Sequence, residues 1–146
     1  MPHAHVRFEL DVPPEEAFDF IADIRNEREW HKDLRSVEKF GDDALGEGTV
    51  FDTVYRGMGP MRIELHEYRR PRHLVFVGSG PRMEMRFAMD VEPRGAGSEV
   101  TFDIDMQPRG PARLFTPLLS FGLPREMAKR PQQFRDALAR HRAVAP

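Results

Sequence analysis

Six residues of this 146-residue chain combine types and spacings that could do chemistry. Tyr55 offers a phenol and Glu67 a carboxyl; facing one enclosed space, they would serve as proton donor and acceptor, with burial raising the carboxyl pKa. Each also has a plainer use. A buried tyrosine hydroxyl commonly satisfies a backbone group, and Arg69, Arg70 and Arg72 stand close enough to Glu67 in sequence to hold it as an ion pair. His3 and His5 fall on one face of a strand, a spacing that could seat a metal, and His31 with Asp33 invites the same suggestion. Without a further carboxylate or a thiolate nearby, these side chains are expected to be solvated, with no metal and no cofactor held. No nucleophile motif, zinc signature or phosphate loop occurs, and the sequence Gly78-Ser79-Gly80 is too short to cradle a phosphate.

Such groups act only where secondary structure aims them, and the clearest element is a hairpin. From Met83 to Met106, Met83, Met85, Phe87, Met89 and Val91 alternate with polar or small residues; Pro93, Gly95 and Gly97 supply a turn; and Val100, Phe102, Ile104 and Met106 resume the alternation. Both arms turn an apolar face the same way. Met83, Met85, Met89 and Met106 on that face are flexible and polarizable, which suits an irregular cavity wall, although a plain sheet core would read alike.

Earlier in the chain, Val6, Phe8, Leu10 and Val12 mark a strand over residues 5–12, ended by Pro13 and Pro14. Proline is tolerated in a first helical turn and Glu15 and Glu16 suit the helix dipole, so a short helix is predicted to about Ile24, with Ala17, Phe20, Ile21 and Ile24 as its apolar stripe and Phe18 beside it. The polar segment RNEREWHKDL could carry a second short helix anchored by Trp30. Strands follow in SVEKFG, GTVFDTVYRG, MRIELHEYRR and HLVFVGSG, each bounded by Gly or Pro, and with the hairpin they make a meander. Beyond Pro111, prolines at 117, 124 and 131 predict one or two short pieces and then a final helix kinked at Pro131, with Met127, Phe134 and Leu138 as its stripe.

Bulk properties narrow the classes. The length suits one domain spanning residues 1–146, and the absence of cysteine excludes disulfides and thiolate metal sites. Charged residues make up 32% of the chain with a formal net charge of −2, and Lys and Arg are scattered along it, so nucleic acid is not an expected partner. No stretch reaches the ~20 apolar residues of a membrane span and no leader precedes the first strand, so a cytosolic protein is expected.

The order of strand, two short helices, antiparallel strands and terminal helix resembles the helix-grip fold of the START-like (SRPBCC, Bet v 1-like) superfamily, and within it the polyketide cyclase/dehydrase and lipid-transport group. The local matches are DVPPEEAFDFIADIRNEREW, GEGTVF and HEYRRPRHLVF, and the likeness runs over nearly the whole chain. None of these motifs is catalytic. The proline-broken C-terminal segment departs from the family's unbroken helix.

The resemblance implies an α+β fold in which a curved antiparallel sheet of about seven strands wraps the C-terminal helix and encloses a cavity. In that register the inward residues are Phe51, Thr53, Tyr55, Met61, Ile63, Leu65, Glu67, Leu74, Phe76 and Gly78, and the hairpin face, Trp30, Met127, Phe134 and Leu138 complete the wall. A mostly apolar wall of this kind implies binding of a hydrophobic or aromatic small molecule, lipid-like or polyketide-like. A polyketide cyclase or aromatase, steering aldol cyclisation and dehydration with Tyr55 and Glu67, is the alternative. A protein-interaction module is a third, because Leu114, Phe115, Leu118, Leu119, Phe121 and Leu123 must either cover the cavity or face another subunit, as in a homodimer.

Overall fold

The computed structural model describes residues 2–144. Strand β1 (His3–Leu10) leads through Pro13 into α1 (Pro14–Ala22) and a 3-10 helix (Ile24–Glu29). Six strands follow: β2 (Leu34–Lys39), β3 (Val50–Tyr55), β4 (Gly59–Arg69), β5 (His73–Ser79), β6 (Met83–Arg94) and β7 (Gly97–Pro108). A 3-10 helix (Gly110–Phe115), α2 (Thr116–Met127) and α3 (Arg130–Val144) close the chain. Among the described residues, no helix is long and apolar enough to cross a membrane.

The predicted meander forms. All seven strands lie in one antiparallel sheet in the order β1-β7-β6-β5-β4-β3-β2, so every neighbour but the β1–β7 pair is also a neighbour in sequence. The hairpin runs in unbroken register from Met83 opposite Pro108 to Arg94 opposite Gly97. Its inward faces meet the helices through an aromatic cluster. Phe134 of α3 lies parallel to Phe8 with ring centres 6.0 Å apart and edge-on to Phe102 at 5.5 Å. Leu123 and Met127 of α2 and Ala137 and Leu138 of α3 are buried against the same face. This is the helix-grip arrangement, with a 3-10 helix as the second of the two short helices after β1.

Two expectations are corrected. Pro131 does not kink the last helix; it is the second residue of α3, a place where its missing N–H costs nothing. Glu67 does not face inward. β4 pairs regularly with β5 as far as His66 opposite Val75 and resumes only at Arg69 opposite His73, a bulge in which Glu67 takes a φ of 51°. The extra residue resets the alternation, so Glu67 is exposed and Tyr68 turns in against Phe18, ring centres 5.5 Å apart.

Candidate functional site

Between the sheet and the helices lies a cavity of about 490 Å³, within the usual range of small-molecule sites. Twelve of the side chains expected on its wall are there: Trp30, Tyr55, Ile63, Phe76, Met83, Met85, Phe87, Phe102, Ile104, Met106, Met127 and Phe134. Nine others, Phe51, Thr53, Met61, Leu65, Leu74, Met89, Val91, Val100 and Leu138, are buried but do not reach it. Packing explains two of them. Met61 fills the space that Gly78 leaves, since a β-carbon on Gly78 would meet its sulfur at 2.5 Å. The Thr53 hydroxyl is spent on a 2.9 Å bond donated to the Met61 carbonyl.

The 3-10 helix after α1 supplies the polar corner of the cavity. The carboxylate of Asp23 accepts the Arg25 N–H at 3.0 Å and fixes the start of the helix. With three residues per turn, side chains at i and i+3 eclipse, so Ile24, Glu27 and Trp30 share a face, and all three line the cavity. Glu27 accepts a 2.8 Å hydrogen bond from the Tyr55 hydroxyl. Glu27 is half-buried, and because it lines the cavity, burial pushes its carboxyl up to about 7, against the opposing effects of the Tyr55 bond and the Arg130 charge. Burial, and then the charge of Glu27, raise the Tyr55 phenol in turn.

His31 and Arg130 complete the corner. The His31 ring lies 5.1 Å from that of Tyr55, and its Nδ1 accepts the Asp33 N–H at 3.3 Å, which leaves the ring proton on Nε2. Burial, reinforced by Arg130, lowers its pKa to about 4. Arg130, at the start of α3, has a side chain only 12% exposed and holds its guanidinium 5.0 Å from the centre of the Trp30 ring. It donates to Gln133 Oε1 at 2.8 Å, and its nearest ion-pair partner, Glu126 Oε2, is 3.9 Å away.

Sequence reasoning therefore placed Tyr55 on the wall and paired it with the wrong carboxyl. Glu67 sits outside, 3.1 Å from His73 Nε2 and 3.6 Å from Arg86, rather than against the arginines next to it in sequence. Glu27, His31 and Arg130 were missed as a group, although the three-residue period of Ile24, Glu27 and Trp30 was a readable signal. His3 and His5 lie on the outer face, where each Nδ1 meets a carboxylate of β7, Asp105 at 2.7 Å and Asp103 at 2.8 Å. Both side chains are about half exposed, as expected, but the expectation that no carboxylate stands near them is corrected, because Asp103 and Asp105 come close across the sheet and not in sequence. Among the described residues, no three His, Cys, Asp or Glu side chains stand together as a metal site.

Known structures share this architecture. A protein from Nitrosomonas europaea superposes with a TM-score of 0.72 at 16% identity, covering 98% of this chain and 97% of its own. A START superfamily protein from Mycobacterium smegmatis gives 0.69 at 11% identity over 98% and 99%. Ara h 8.0201 gives 0.63 at 16% identity over 92% of each chain. No curated protein matches the sequence. At these identities the likeness shows the fold, the START and Bet v 1 helix grip. The sequence pattern of one family matches residues 1–139, nearly the whole length, and on that ground the chain belongs to the polyketide cyclase / dehydrase and lipid transport family.

Proposed function

We propose that the protein binds a small, largely hydrophobic or aromatic molecule in the internal cavity and holds its polar end at the corner formed by Glu27, His31, Tyr55 and Arg130. The observation that carries this reading is the cavity itself: about 490 Å³ walled mainly by Met, Phe, Leu and Ile, with its polar groups gathered on one side. Family membership supports it, since both activities in the family's description, on polyketides and in lipid transport, concern largely apolar molecules. Native mass spectrometry of the protein purified from its own host tests it. A retained adduct of small-molecule mass is the expected result. Bare protein, with no thermal shift across lipids, flavonoids and polyketides, counts against it.

A second reading, a cyclase or aromatase, is favoured by the Tyr55–Glu27 pair. A phenol hydrogen-bonded to a carboxyl that titrates at about 7 is suited to passing a proton to and from a bound ketone. Glu27 takes the acid–base role first considered for Glu67. Turnover of a poly-ketone substrate that is lost in Glu27→Gln, with binding retained, would favour this reading over simple binding.

A further inference from the structure

Lys and Arg are scattered along the sequence, but at one end of the molecule they outnumber the acidic residues. The stretch from Arg109 to Arg130 carries Arg109, Arg113, Arg125, Lys129 and Arg130 against a single acid, Glu126. The segments that share the cavity wall with it add Lys32, Arg56 and Arg82 against Glu27, Asp33 and Glu84. This end thus holds eight basic and four acidic residues, Arg130 and Glu27 among them facing the cavity, of a chain that has 22 and 24, which leaves 14 against 20 elsewhere. The adjacency is structural: the Arg109 N–H donates to the Arg82 carbonyl at 2.9 Å, and Arg109 pairs with Glu84 at 3.3 Å.

In the middle of this positive end stands an apolar ridge. Leu114, Phe115, Leu118 and Phe121 are 83%, 62%, 67% and 62% exposed, in a protein whose other large apolar side chains are mostly buried. The guanidinium of Arg125 lies 4.2 Å from the centre of the exposed Phe121 ring, so cation and apolar surface are presented together. Exposed Leu and Phe among Lys and Arg are the composition of helices that lie in a membrane interface, where apolar tips enter the acyl boundary and cations meet anionic headgroups. Two copies placed ridge to ridge would instead set these cations against one another.

We propose that this ridge docks the protein on an anionic lipid surface. Phe115 and Leu118 belong both to the ridge and to the cavity wall, so the face that meets the bilayer is the face that closes the cavity. An apolar ligand would then pass between bilayer and cavity without crossing water. The docking itself does not depend on what the cavity holds, and its test reads the ridge alone.

The test is co-sedimentation of the full chain with phosphatidylglycerol-rich vesicles and with pure phosphatidylcholine vesicles, at low and at physiological salt. Binding to the anionic vesicles, weakened by salt, is the expected result. Leu114→Ser with Phe121→Ser alters two side chains outside the cavity wall, and Arg113→Glu with Arg125→Glu reverses two charges that are likewise outside it. Each pair should weaken vesicle binding at least about tenfold with unchanged circular dichroism and melting temperature. Protein that stays in the supernatant with anionic vesicles, or that binds neutral vesicles equally well, overturns the proposal. A dimer in sedimentation velocity that Leu114→Ser with Phe121→Ser dissolves also overturns it, and assigns the ridge to a second copy.

Discussion

The Tyr55 hydroxyl donates to Glu27 Oε1 across 2.8 Å, tying β3 to a 3-10 helix 28 residues earlier in the chain. Replacing Tyr55 by Phe keeps the ring and removes the bond. If the cavity only binds, ligand affinity should fall by about tenfold or less, the worth of one hydrogen bond. If Tyr55 moves a proton, turnover should fall by about 10² to 10⁴ with binding largely kept. Because the bond favours the ionised carboxyl, its loss should also raise the Glu27 pKa further, which NMR titration of the side-chain carboxyl would report. An unmoved Glu27 titration would show that the bond is not formed in solution.

Glu27 and His31 should act in opposite directions on stability as pH changes. In the folded protein the Glu27 carboxyl keeps its proton up to about pH 7, against 4.5 ordinarily, so its contribution is present at low pH and is lost as pH rises toward 7. His31 is neutral down to about pH 4, against 6.5 ordinarily, so its contribution is present above pH 6.5 and is lost as pH falls toward 4. Between 4.5 and 6.5 the two slopes offset each other. Glu27→Gln should uncover the His31 slope, a loss of roughly 2 kcal/mol on acidification through that window. His31→Asn should uncover the reverse slope. Urea melts at several pH values would check both, and parallel curves for all three proteins would refute the pairing.

Phe102 and Phe87 should differ when cut to Ala. Phe102 is 1% exposed and packed by Phe8, Phe87 and Phe134, so Phe102→Ala should cost about 3–5 kcal/mol. Phe87 borders the same cavity but is only partly buried, so its loss removes less packing and should cost roughly 1–2 kcal/mol. Equal losses in chemical denaturation would argue that Phe87 is packed as tightly as Phe102 in solution.

Glu67→Gly tests the corrected position of Glu67. A residue at φ 51° gains from glycine, while the ion pairs that Glu67 makes with His73 and Arg86 are largely exposed and weak. Stability should hold or rise by up to about 1 kcal/mol, and ligand affinity should not change. A clear loss of binding would return Glu67 to the site.

Much of the sheet was legible because alternation needs only neighbours in sequence. Met83 to Val91 and Val100 to Met106 announce their shared face without knowledge of the rest of the chain. Glu67 was misplaced because a bulge adds one residue to a strand with no change in composition, and the inward position passes from Glu67 to Tyr68. The polar corner was hidden for another reason. Glu27 sits in a segment polar enough to pass for solvated surface, and Arg130 follows a run broken by proline. Only the closed fold brings Arg130 over Trp30, about a hundred positions earlier in the chain.

The polar corner also depends on the rotational phase of one short helix. At three residues per turn, one inserted or deleted residue between Asp23 and Glu27 would swing the carboxyl about 120° around the axis. The seven strands would keep their register, while Trp30, one turn beyond Glu27, would move with it. Tyr55 and Arg130 would then face a different neighbour. In this fold a change of ligand chemistry lies one codon away from an unchanged sheet.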